Sequence, residues 1–340
     1  MTASGIGSWP GTDVRAAIGA VQEVLGGLPP AGDDGVRGLP YLPELPARGP
    51  GADMIGRSAA LLAGLHIDLQ PSGWRLVDHP GKDSARADAY LRQDRDELAE
   101  AYDGHTGPLK VSFVGPWSLA ANVRLARGER VVGDLGAARD VAQSAAEGYR
   151  AELERLSALV PGAAWVVQVD EPSLPGVLAG ELPTSSGYGR HRAVDEEVVV
   201  RTLGEFISRL GQPVVVHCCA AEVPFDVITA AGADAVSLDV GLLAESGWER
   251  AAALLESGRG LWAGLPVPLA GGSGRVEAAR LARPVERAWR ALALGPDLAR
   301  RLTLTPACGL AGAESPAHAA ALQRAVVEAA VYLRDVILGG

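Results

Sequence analysis

The sequence predicts a single (β/α)8 barrel spanning residues 1–340, with insertions over its C-terminal face. Three observations carry this. Short β-branched apolar runs alternate with long Ala/Leu/Arg/Glu stretches of helical period. Strands separated by helices pair in parallel, because parallel neighbours need crossover connections. The runs number eight, and Val214-Val215-Val216 and Trp165-Val166-Val167 are apolar without interruption, as strands covered on both faces should be. In chain order the expected strands are 5–8, 66–69 (continuing at 74–77), 109–114, 164–169, 213–217, 235–239, 260–264 and 302–305. Helical periodicity covers residues 14–25, 52–64, 84–102, 137–159, 195–211, 223–231, 247–256, 276–293 and 316–338. The chain exceeds the ~250 residues of a plain barrel, and the surplus falls in two turn-rich stretches, 27–52 and 171–193, expected as loops over the catalytic face. An open doubly wound sheet is the competing architecture. It usually carries a glycine-rich phosphate loop after its first strand, and Gly5-Ile6-Gly7-Ser8-Trp9-Pro10 does not match that pattern.

Composition narrows the function. The 48% hydrophobic and 21% charged residues are those of an ordinary globular chain. A net charge of −10, with only Lys82 and Lys110 as lysines among 31 cationic residues, argues against a nucleic-acid surface. The sequence has no 18-residue apolar window free of charge and proline, so no membrane span is expected. Met1-Thr2-Ala3-Ser4-Gly5 has no basic stretch leading into an apolar run, and three cysteines make no disulfide framework; both favour a cytoplasmic setting.

Barrel chemistry sits at the C-terminal strand ends. Those ends read Ser8-Trp9-Pro10, Gly115-Pro116-Trp117, Asp170-Glu171-Pro172, His217-Cys218-Cys219, Asp239 and Cys308-Gly309. A His with two Cys suits zinc. On an extended chain His217 and Cys219 face one ion while Cys218 faces away; Cys308 converges from the last strand, and Asp239 is the candidate fourth ligand. Buried structural cysteines, or a Cys nucleophile with His as base, are the competing readings. Asp170 and Glu171 are candidates for ammonium binding or acid–base work, against a helix-capping role. Glu44 lies in a proline-stiffened loop, and Trp9 and Trp117 are either stacking plates on a donor-facing surface or an aromatic lid on the core.

Together, Ile6-Gly7-Ser8-Trp9-Pro10, Gly115-Pro116, Val169-Asp170-Glu171-Pro172, His217-Cys218-Cys219, the run from Ala233 to Asp239 and Pro306-Ala307-Cys308-Gly309-Leu310 resemble the catalytic barrel of cobalamin-independent methionine synthases, in a short form without the N-terminal half. The resemblance implies a TIM barrel that binds zinc through His217, Cys219, Cys308 and Asp239, where the family usually has Glu. It implies homocysteine as substrate, its amino-acid part held by Ile6, Gly7, Ser8, Glu44 and Asp170. Two departures stand out. The family's long form has a second barrel-like half, for which this chain has no room. The folate-using members also carry an Asp-x-His after strand seven, where Gly264-Leu265-Pro266-Val267-Pro268 has no ionisable group. The expected donor is therefore open between methyltetrahydrofolate and a methylcorrinoid, with a corrinoid protein as a possible partner. Methyl or alkyl transfer to another small thiol, a decarboxylase of the uroporphyrinogen type and a zinc- or thiol-binding protein without turnover are the alternatives.

Overall fold

The computed structural model describes residues 1–28, 35–270 and 276–339. Eight parallel strands form one sheet: β1 (Thr2–Ser4), β2 (Arg37–Leu39), then, after a small hairpin of β3 (His66–Gln70) and β4 (Gly73–Val77), β5 (Gly107–Val114), β6 (Ala163–Asp170), β7 (Val214–His217), β8 (Ala235–Asp239), β9 (Gly260–Leu265) and β10 (Leu302–Pro306). Their order is β2-β1-β10-β9-β8-β7-β6-β5. The ring is completed just beyond β2, where the Leu42 amide donates to the Lys110 carbonyl at 3.0 Å and the Lys110 amide to the Pro40 carbonyl at 2.9 Å. A (β/α)8 barrel is thus the observed architecture.

Two members of the expected strand set differ. Residues 66–69 and 74–77 pair with each other antiparallel, Ile67 opposite Leu76, outside the barrel. Their mixed composition suits a hairpin: Asp68, Gln70 and Arg75 interleave with Ile67, Leu69 and Trp74, and Leu69 is exposed, whereas a barrel strand needs both faces apolar. The second barrel strand is instead Arg37-Gly38-Leu39, inside the stretch expected as a loop. Residues 29–34 of that stretch lie outside the described residues. The first strand is Thr2–Ser4, and the chain leaves the sheet at Gly5. A Cβ on Gly5 would run into the Tyr41 ring, so the close crossing that starts the next turn requires glycine.

Strand alternation sorts the interior into two layers. Outward-facing Val111, Val167, Val169, Val214, Val216, Val236 and Leu238 belong to the large core shared with the helices, which include α1 (Val14–Val21), α2 (Met54–Ala59), α3 (Lys82–Ala101), α4 (Pro116–Asn122), α5 (Leu135–Leu159), α6 (Leu174–Ala179) and α7 (Glu196–Leu210). The ring is completed by α8 (Phe225–Ala230), α9 (Glu245–Glu256), α10 (Ala278–Ala291) and α11 (Pro316–Leu338). Inside the barrel, Leu39, Val166, Val215, Ala235 and Trp262 form a small separate apolar floor. Above it the inward positions turn polar: Lys110, Ser112, Gln168, Ser237 and Thr305 are all buried. This polar storey lies directly beneath the mouth.

Candidate metal and amino-acid site

His217 closes β7, and the ladder continues one residue further through the Cys218 amide and the Ser237 carbonyl at 2.9 Å. Extension through this point sends His217 and Cys219 to the same side. Cys218 goes to the opposite side, where it is fully buried in the outer core and burial pushes its thiol up to about 11. From the last strand, the Ala307 amide bonds the Leu265 carbonyl at 2.8 Å and delivers Cys308 to the same mouth. The ligand atoms of His217, Cys219 and Cys308 lie within 4.8 Å of one another. The hydrogen bond from Cys219, helped by His217, pulls Cys308 down to about 4, and the same bond with burial pushes Cys219 up.

These residues fit a thiophilic metal. His217 Nδ1 sits 2.9 Å from Ser237 Oγ, while its Nε2 is buried with no hydrogen-bond partner. A buried ring nitrogen left bare is costly unless something else occupies it. A neutral imidazole that ligates through Nε2 donates its Nδ1 proton to Ser237, so the serine fixes both tautomer and ring orientation. Asp239 is not brought into this cluster. Its Oδ1 accepts from the Gly241 amide at 2.7 Å and caps the turn Val240–Leu242, a local bond within easy reach of a side chain one methylene shorter than Glu.

The three ligands line one wall of a cavity of about 220 Å³. Ile6, Gly7, Ser8, Glu44 and Asp170 line it too, so every substrate-side residue expected from the sequence meets the metal cluster there. Pro46, Met54 and Pro172 also line the cavity; they lie within stretches that stood out in the sequence, but as apolar side chains they carried no chemical signal of their own. The turn 6–8 is tied on both sides: the Glu44 amide donates to the Gly7 carbonyl at 3.1 Å and the Leu310 amide to the Ser8 carbonyl at 2.8 Å. A Cβ at Gly309 would strike Ser8 Oγ, which accounts for glycine beside Cys308.

The cavity's acids are buried. Glu44 is pushed up to about 7 by desolvation, against the pull of Arg57, whose Nε lies 3.7 Å from Glu44 Oε1. Arg57 is itself held by buried Asp94, which Arg48 grips with both guanidinium nitrogens at 2.8 and 3.0 Å. Desolvation also raises Asp170. Beneath them Lys110, fully buried, is driven down to about 7 by the same cause.

Three expectations take a different form. Glu171 does not reach the cavity; its carboxylate accepts from the Trp117 amide at 2.9 Å and the Ser118 amide at 2.7 Å, capping α4 from a neighbouring strand end. Burial pushes it up to about 7. Trp9 and Trp117 are each only 1% exposed and sit in the core, not on an open donor face. Trp117 lies in the first turn of α4, and its indole Nε1 donates to the Val199 carbonyl at 3.3 Å.

The chain is a parallel barrel that brings a His/Cys/Cys cluster able to hold a metal ion beside buried carboxylates. The comparisons narrow its class. The family described as "Cobalamin-independent synthase, Catalytic domain" matches residues 114–331, and the chain belongs to that family. No curated protein matches the sequence. Among solved structures, a B12-independent methionine synthase from Shewanella sp. W3-18-1, in complex with selenomethionine, superposes with a TM-score of 0.59 at 14% identity, covering 99% of each chain. A putative dihydrodipicolinate synthase family protein from Coccidioides immitis gives a TM-score of 0.37 at 13% identity, covering 99% of this chain and 96% of that one.

Proposed function

We propose that the chain is a zinc-dependent methyltransferase that methylates the thiol of homocysteine to give methionine. The observation that carries this reading is the meeting, in one cavity, of the His217/Cys219/Cys308 cluster with Glu44 and Asp170. Zinc, when bound by His217, Cys219 and Cys308, supplies positive charge that favours a bound thiol as thiolate. Glu44 and Asp170 take the substrate ammonium, which restores in the bound state the ionisation that burial opposes in the empty one. The turn 6–8 offers backbone groups to the rest of the amino-acid portion. The reaction forms a sulfur–methyl bond as the donor's bond to methyl breaks, and the thiol proton is released. The protein's contribution is to hold the sulfur in line with the donor.

The donor reading follows from the end of β9. A methyl on a tertiary amine leaves poorly unless the nitrogen is protonated. Residues 264–268 carry no acid, so a methylcorrinoid, free or carried by a partner protein, suits this chain better than methyltetrahydrofolate. The test is a donor panel of methyltetrahydrofolate, methylcobalamin and a methylated corrinoid protein with zinc-loaded protein and homocysteine, read by mass spectrometry. Methionine from the corrinoid donors is expected. Its absence with every donor overturns the reading, and a product on another thiol replaces homocysteine.

A further inference from the structure

Lys110 is a fully buried lysine whose hydrogen-bond partners are all neutral oxygens. Its Nζ donates to the Ile6 carbonyl at 2.6 Å, to Ser112 Oγ at 3.1 Å and to Gln168 Oε1 at 2.7 Å. Gln168 in turn donates from Nε2 to Asp170 Oδ1 at 2.7 Å. One ammonium thus touches the turn that forms one wall of the cavity and, through one amide, the carboxylate that forms another.

The amide orientation is forced. A lysine ammonium has only donors, so it must meet the glutamine oxygen; that leaves the NH2 toward Asp170, and an NH2 can only donate. Gln168 therefore passes a donor along the strand and demands that Asp170 Oδ1 be an acceptor. Both groups stand on inward positions of one strand, two residues apart, so the pair cannot drift independently. The second carboxylate oxygen has no hydrogen bond from the described residues and is left for the cavity.

We propose that Lys110, acting through Gln168, is the positioning residue that aims Asp170 at the substrate's α-amino group while anchoring the turn 6–8 beside it, and so sets selectivity for an amino acid over its des-amino analogue. This rests on reading the cavity as an amino-acid site. Lys110 does not touch the substrate itself. Its test is a difference in recognition and not a loss of fold.

The experiment is calorimetric titration of the zinc-loaded protein with methionine and with its des-amino analogue, for wild type, Gln168→Leu, Lys110→Met and Thr305→Val. Thr305 is buried in the same barrel interior with no hydrogen-bond partner for its hydroxyl, so it takes no part in the Lys110–Gln168–Asp170 hydrogen bonds and reports generic damage to the interior. Wild type and Thr305→Val should prefer methionine by about tenfold or more, the scale of one charge-assisted hydrogen bond. In Gln168→Leu and Lys110→Met that preference should fall to near parity, with affinity for the des-amino analogue held within about twofold of wild type. Preference retained in both relay variants overturns the proposal alone. So does an equal loss in Thr305→Val. A wild type without preference overturns the amino-acid reading, and this proposal with it.

Discussion

At residue scale, two steps along the backbone separate His217 from Cys219, and that spacing decides which cysteine joins His217 and Cys308 in the candidate metal cluster. The alternation was legible because Val214-Val215-Val216 leads directly into it, so an extended chain was the natural reading. His217→Ala, Cys219→Ala and Cys308→Ala should each lose bound zinc by more than about tenfold in affinity, whereas Cys218→Ala should keep it, measured by metal analysis after dialysis. Retained metal in all three ligand variants would refute the assignment. Asp239 was less legible, because a strand-end aspartate serves equally as a ligand and as the cap it forms with Gly241. Glu44 carries a pH signature. Its ordinary value is 4.5 and the fold raises it to about 7, so between these values the native state binds more protons than the unfolded chain. Stability from this group therefore falls as pH rises through that window. Glu44→Gln should raise Tm above pH 7 by about 1–2 °C, with the gain vanishing below pH 4.5, while weakening methionine binding. A scanning calorimeter at the two pH values checks the sign.

At the scale of elements, the count of eight strands was right although two expected members were not: 5–8 falls just past β1, and 66–69 lies outside the barrel. Residues 66–69 have the β-branched and apolar content that marks a strand, and they are one, but in a hairpin. Arg37-Gly38-Leu39 offers three residues ahead of Pro40, with a glycine in the middle, too short for any periodicity to register. What makes it a barrel strand is tertiary: it lies parallel to β1, with Thr2 opposite Arg37, and Leu25 presses against its middle. A Cβ at Gly38 would collide with the Leu25 carbonyl. Gly38→Ala should therefore cost ~3 kcal/mol by chemical denaturation, the scale of forced overpacking. Glu171 teaches a related lesson. Its partner amides belong to another strand end, 53 and 54 residues away, so no local pattern could show that it caps α4. Glu171→Ala strands those two buried N–H groups and should destabilise by ~3 kcal/mol, with little change in zinc content. A variant as stable as wild type would mean the cap contributes nothing.

For the whole molecule, the metal cluster sits at the rim of a barrel whose outer core is continuous and apolar without it. Chelation of zinc should therefore leave the far-ultraviolet circular dichroism unchanged and lower Tm only by the linkage contribution, about 3–4 kcal/mol for an ion present at a hundred to a thousand times its Kd. Collapse of the spectrum on chelation would show instead that the ion is structural. The barrel itself was legible from alternation and count, since those depend on crossover geometry. The polar storey beneath the mouth was not, because a lone Lys, Ser or Gln within an apolar run has no period of its own. That storey has one more consequence. The residue from which both cavity walls hang, Lys110, is also the residue whose backbone zips the ring shut against Pro40 and Leu42. On the proposed amino-acid reading, ligand recognition and circularisation depend on one residue: a chain cut open along that seam should keep most of its helices and strands, yet lose its preference for an amino acid.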